Sequence, residues 1–129
     1  MRTVELADTL LAKARLAVKY RLVRPTFSER GAVTVVAGEF VPLKNRLAGQ
    51  DLKYTPLDCS FKKPVALLYG SNMGGKTVAL QTVGFLQLLA QGGFFVPAKK
   101  FETRVFEAVR FVGAEAEPGQ GADDGLSGF

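Results

Sequence analysis

The eight residues Gly70-Ser71-Asn72-Met73-Gly74-Gly75-Lys76-Thr77 fit G-x-x-x-x-G-K-[ST] without a gap, and that spacing constrains the fold more than any other feature of the chain. Glycines let the backbone wrap an anion and turn several N–H groups toward it. A lysine at this position reaches the β- and γ-phosphates, and the Thr77 hydroxyl is placed to ligate Mg²⁺. The motif demands a strand before it and a helix after it. Val65-Ala66-Leu67-Leu68-Tyr69 is a short apolar run of the kind expected of a strand buried on both faces. Residues 77–91 have helix-forming composition and stop at Gly92-Gly93, a good C-terminal cap. Strand, loop and helix in that order put bound phosphates at a positive helix N-terminus. The chain is expected to bind a nucleoside triphosphate, or to be part of something that does.

The remaining segments read as the rest of an α/β sheet with partly parallel strands. Residues 4–20 form an amphipathic pattern, with Leu6, Leu10, Ala14, Ala17 and Val18 near one stripe and Lys13, Arg15 and Lys19 elsewhere. Pro25 ends any helical continuation. Residues 32–37, β-branched and bounded by Gly31 and Gly38, read as a strand. Residues 39–60 carry Pro42, Gly49 and Pro56 and read as loop with a short turn of helix, and residues 103–112 read as a further strand. The tail 113–129 is rich in glycine and its charges are all acidic, as in a mobile loop or a linker. The helix after the phosphate loop is apolar on nearly every side, so it needs cover from more than one direction. The chain offers few elements to supply it.

At 129 residues the chain is one domain or a piece of one, and 47% hydrophobic residues are enough for a core. The net charge of +5 suits a phosphate-bearing partner, and it is equally ordinary solvated surface. Lys13, Arg15, Lys19, Arg21, Arg24 and Arg30 make a basic cluster, but no aromatic-interleaved groove accompanies it to support nucleic-acid binding. The chain has no histidine, and its one cysteine, Cys59, excludes an internal disulfide and a cysteine-based zinc site. No apolar run approaches a membrane span and no signal pattern opens the chain, so a cytoplasmic setting is expected.

Residues 67–98 resemble the ATPase domain of the MutS family of mismatch-repair proteins. The resemblance is carried by Asn72-Met73-Gly74-Gly75-Lys76-Thr77, by Leu89-Ala90-Gln91 and by Phe95-Val96-Pro97-Ala98. It implies a P-loop NTPase of the ABC type, here a partial sheet with a leading N-terminal helix. Residues 1–24 would lead into the domain, and 25–129 would be its N-terminal portion. It further implies ATP and Mg²⁺ as ligands and DNA bound only by the parent protein. An incomplete sheet would expose apolar strand edges and helix surface, so a homodimer or other self-association through that surface is expected, with no membrane. Ser71, Asn72, Met73, Gly74, Gly75, Lys76, Thr77 and Val78 match the Walker A cradle, with the metal on Thr77. Tyr54 is the match to the aromatic residue that stacks on adenine, with Phe40 second; a half-buried loop tyrosine is the competing reading.

Asp123-Asp124 and Ser127 resemble the element that reaches a partner's γ-phosphate, although Gly128 stands where threonine is usual. Ser71 replaces a common proline, and a Gly-Arg-His-Pro motif is missing upstream. These departures lean away from the mismatch-recognition proteins proper, and the Thr77-Val78 pair and the Thr82-Val83-Gly84 run look more like the divergent branches. One such branch acts on recombination intermediates or stalled ribosomes; another is the MutS-like subunit that reactivates cobalamin-dependent aminomutases, which the Phe-Val-Pro-Leu-Lys and Tyr-Thr-Pro-Leu-Asp segments resemble more. No apolar strand ending in Asp-Glu follows, so the Walker B motif is absent, no catalytic residue is assigned, and nucleotide binding with little turnover is expected. The alternative function is a structural or dimerisation fragment that does not bind nucleotide.

Overall fold

β-Branched and alternating stretches pair into one sheet, and the helix that follows the phosphate loop lies across it. The computed structural model describes residues 1–29, 31–71 and 75–112, which form a mixed α/β unit around a four-stranded sheet. The elements are α1 (Arg2–Tyr20), β1 (Thr26–Phe27), β2 (Val33–Gly38), α2 (Val41–Ala48), β3 (Leu57–Phe61), α3 (Lys76–Gln91) and β4 (Lys100–Thr103). The strand order is β1-β4-β2-β3. β1 runs parallel to β4, while β2 is antiparallel to both β4 and β3.

β2 is central because both of its edges are paired. Val35 stands opposite Cys59 on one side and Phe101 on the other. β3 alternates as a half-buried strand does, with Leu57, Cys59 and Phe61 turned inward and Asp58 and Ser60 exposed. In β4 the same alternation buries Phe101 and Thr103. The core consists of Val35, Leu86, Ala90, Val96 and Phe101, with Val23, Val33, Val83 and Leu89 packed around it.

Two details let α3 sit close on β2. The register between β2 and β3 shifts between Val35 and Gly38, a bulge in which Ala37 takes φ 49°. The Ala37 N–H donates to the Asp58 carboxylate at 2.7 Å, which holds that conformation. At Gly38 a Cβ would fall 2.4 Å from Val35 Cγ1 and 3.0 Å from Leu86 Cδ1, so glycine is needed for the approach. Val23 and Val96 exchange two backbone hydrogen bonds, of 2.9 and 2.8 Å, and anchor the Phe-Val-Pro-Ala turn with Val96 fully buried.

α1 closes on Arg21 in the left-handed region, where the Leu22 N–H reaches the Ala17 carbonyl at 2.9 Å. No residue of α1 is buried, and the stripe residues Leu6, Leu10 and Val18 are exposed. A polar fastening joins it to the end of α3. Lys13 Nζ donates to the Gly92 carbonyl at 3.0 Å and lies 4.4 Å from the centre of the Phe94 ring.

Several expectations are corrected. Residues 65–69 form no strand; Val65, Leu67 and Tyr69 are 84%, 85% and 86% exposed, because no neighbouring strand among the described residues pairs with them. The expected strand over 103–112 is instead β4, Lys100–Thr103, and beyond it Phe111 and Val112 are exposed. The short turn of helix expected within residues 39–60 is the eight-residue α2, while the last four residues of that stretch belong to β3 and were not expected as strand. Among the described residues the sheet is partly parallel only through the two-residue pairing of β1 with β4. On α3, Leu80 and Leu88 are exposed, so the sheet covers one side of this helix and leaves others open. Among the described residues no helix is long and apolar enough to cross a membrane.

Candidate nucleotide site

Of the motif 70–77, the described residues are Gly70, Ser71, Gly75, Lys76 and Thr77; Asn72, Met73 and Gly74 lie outside them, as do Asp123, Asp124 and Ser127. Gly75 is the N-cap of α3, with φ 71° and ψ 23° and open space where a Cβ would point. A side chain here would be strained by the positive φ, not by crowding. The first helical bond runs from the Ala79 N–H to the Gly75 carbonyl at 2.9 Å. The N–H groups of Lys76, Thr77 and Val78 therefore have no partner within the helix. No side chain caps this end and no acidic residue stands in its first turn.

Lys76 folds back along the loop and donates to the carbonyls of Gly70 at 2.6 Å and Ser71 at 2.7 Å. Thr77 is exposed and Val78 half-buried. Among the described residues no group of three or more Asp, Glu, His or Cys gathers as a metal cluster. N–H groups without a partner in the helix, a glycine cap and a lysine resting on neutral carbonyls together fit an anion, and the exposed Thr77 hydroxyl fits a single metal ligand.

Tyr54 is half-buried, and its hydroxyl accepts the Phe40 N–H at 2.7 Å. Phe40 packs edge-on against Phe85 of α3, ring centres 5.3 Å apart at 75°. The two aromatic candidates are thus joined, with Phe40 seated on α3 nine residues beyond Lys76 and so about 13 Å along the helix axis. The Tyr54 hydroxyl is engaged by the N-cap residue of α2, which orients the ring without using its face.

The structure adds a polar group that the sequence reading passed over. Gln87 is buried on α3, and its Nε2 donates to the carbonyl of Arg104 at 3.0 Å and to Gln91 Oε1 at 2.6 Å. Its Oε1 accepts from the buried Thr103 hydroxyl at 2.5 Å. Gln91 accepts the Phe106 N–H at 2.9 Å and donates to the Phe106 carbonyl at 3.0 Å. Glutamines spaced four apart on an otherwise apolar helix were the available signal. Beside Gln87 opens a cavity of about 470 Å³, whose lining includes Lys62, Lys63, Val83, Gln87, Arg104 and Arg110.

Residues 66–121 match the family model described as MutS domain V. The chain is 36% identical to the DNA mismatch repair protein MutS of Chlorobium chlorochromatii, over 79% of this chain and 12% of that protein. It is 39% identical to the endonuclease MutS2 of Carboxydothermus hydrogenoformans, over 75% of this chain and 12% of that protein. To the endonuclease MutS2 of Clostridium botulinum it is 32% identical, over 95% of this chain and 15% of that protein. These matches support the MutS family.

The chain spans about an eighth of the length of these MutS relatives. The matched domain V region takes in α3, β4 and the polar group around Gln87, but begins after β1, β2, α2 and β3. The expectation of the aminomutase-reactivating branch finds no support, since the relatives carry the names of mismatch-repair MutS and of MutS2.

Proposed function

We propose that this chain is the nucleotide-binding portion of a MutS-family P-loop ATPase domain and takes ATP with Mg²⁺ through the Walker A loop 70–77. The observation that carries the reading is the N-terminus of α3, where three backbone N–H groups lack a partner within the helix, Gly75 is left-handed and the first turn has no acidic side chain, with the Lys76 ammonium held on the Gly70 and Ser71 carbonyls. In this reading Ser71, Asn72, Met73, Gly74 and Gly75 wrap the phosphates, and the N–H groups of Lys76, Thr77 and Val78 donate to them. Lys76 exchanges the Gly70 and Ser71 carbonyls for phosphate oxygens, a stronger, charge-assisted partner. The Thr77 hydroxyl holds Mg²⁺, which neutralises phosphate charge when bound, and Tyr54 contributes its ring face to adenine. Residues 1–24 are the leading helix of the domain and 25–129 its N-terminal portion. Hydrolysis by this chain alone is expected to be slight, self-association runs through exposed sheet and helix surface, and DNA binding belongs to the parent protein.

Binding of a fluorescent ATP analogue with Mg²⁺ tests the assignment. Ligand at a hundred times its Kd stabilises the fold by about 2.7 kcal/mol, read as a raised melting temperature. Lys76→Ala is expected to abolish binding; unchanged affinity in that variant overturns the reading.

One observation favours a second reading, a module that binds no nucleotide and associates with itself. Val65, Leu67, Tyr69 and Val112 are all exposed, and apolar surface of this kind mediates contact between chains. Sedimentation as a clean monomer at high concentration would count against it.

A further inference from the structure

We propose that Gln91, supported by Gln87, is a positioning residue that locks the register of residues 104–106 on α3, so that the stretch 105–112 follows the phosphate-loop helix. The geometry is a match between two periodicities. Four residues along a helix rise about 6 Å, and two residues along an extended chain rise about 6.6 Å. Gln87 and Gln91, four apart on α3, therefore meet the main chain of Arg104 and Phe106, two apart on the segment leaving β4. Gln91 takes both the N–H and the C=O of Phe106, as a strand partner does, and Gln87 takes the Arg104 carbonyl.

The group is closed on itself. Both Gln87 Nε2 protons are used, its Oε1 is held by Thr103, and Gln91 Oε1 is shared between Gln87 and the Phe106 N–H. Apolar residues at 87 and 91 would hold the same segment with no preference along its axis, whereas amides accept it in one register. A slip of one residue turns the main-chain groups of the segment to its other side and leaves the buried Gln87 unsatisfied, which is costly. α3 carries the phosphate loop at its start and this lock at its end, so displacement of the helix by a bound phosphate is carried to residues 105–112.

Hydrogen exchange on the whole chain tests this, with wild type, Gln91→Met and Gln91→Glu compared with and without Mg-ATP. Gln91 is exposed, so neither variant disturbs the core; Gln91→Met leaves one Gln87 Nε2 proton without its acceptor, and Gln91→Glu, which keeps that acceptor, controls for the loss. Without nucleotide, Gln91→Met is expected to speed exchange of the Phe106 amide about five- to tenfold, the weight of one hydrogen bond, while amides inside α3 keep their rates. Gln91→Glu retains the acceptor for that amide and is expected to fall between the two. With Mg-ATP, exchange over 105–112 slows in wild type, whereas Gln91→Met binds with unchanged affinity and shows no such slowing, a loss that a merely structural role would not produce.

An unchanged Phe106 rate in Gln91→Met overturns the lock. Slowing that survives in that variant, or its absence in a wild type that binds nucleotide, overturns the coupling. The coupling rests on the nucleotide reading, but the lock does not. If wild type binds no ATP, that reading fails by itself and the coupling with it, and the nucleotide-free Phe106 rates still decide the lock.

Discussion

β2 and the stretch 65–69 are sequences of the same kind, short, apolar and bounded by glycine or proline, and they end in opposite surroundings. Val35 in β2 is 1% exposed, with β3 on one side, β4 on the other and Leu86 of α3 above it. Leu67 is 85% exposed and has no strand on either side among the described residues. An apolar run supplies the side chains of a buried strand, but the strand exists only when neighbouring chains take up its N–H and C=O groups. β2 finds both neighbours within a hundred residues of sequence. The difference lies in the company each stretch keeps, not in its composition.

Paired substitutions can break that contrast. Phe101→Ala, beside Val35, is expected to destabilise the fold most, by about 3–5 kcal/mol in denaturant unfolding. Gly38→Val, which forces a side chain against Val35 and Leu86, is expected to cost about 1–3 kcal/mol. Leu67→Ser removes a side chain that touches little, so its effect is expected within about 0.5 kcal/mol by the same measurement. If Leu67→Ser costs as much as Phe101→Ala, then 65–69 is covered in solution and the contrast fails.

The smallest effect concerns Cys59 of β3. Burial first and the Asp58 charge second push its thiol above the usual value, so the reactive thiolate is scarcer at any given pH. Asp58→Asn removes the second cause and leaves the first. Alkylation at pH 8 is then expected to quicken by less than about tenfold, and no quickening would show that burial alone protects the thiol.

Elements whose signal is local were legible in the sequence. α1 and α3 fall within two residues of their expected ends, because caps and helical periodicity are written into adjacent residues. β2 was marked by Val-Thr-Val-Val between glycines. β3 and β4 were not, since Leu-Asp-Cys-Ser-Phe and Lys-Phe-Glu-Thr show only one or two alternations, and it is pairing with β2 that makes them strands. At the site, the motif fixed which residues stand at the start of α3. It did not disclose that Lys76 folds onto Gly70 and Ser71, nor that two glutamines on an apolar helix bind a distant main chain. Those are long-range hydrogen bonds, and periodicity carries no information about them.

The fastening of Lys13 bears on the field that an incoming anion meets. The peptide dipoles of α3 sum to about half a positive charge at its start and half a negative charge at its end. The ammonium of Lys13 sits on the Gly92 carbonyl and so compensates the negative end from within the molecule. The positive end has no acidic residue in its first turn and no such counterweight among the described residues. α3 is thereby left polarised toward one terminus, and α1, a helix with no buried residue, serves as the counter-ion at the other.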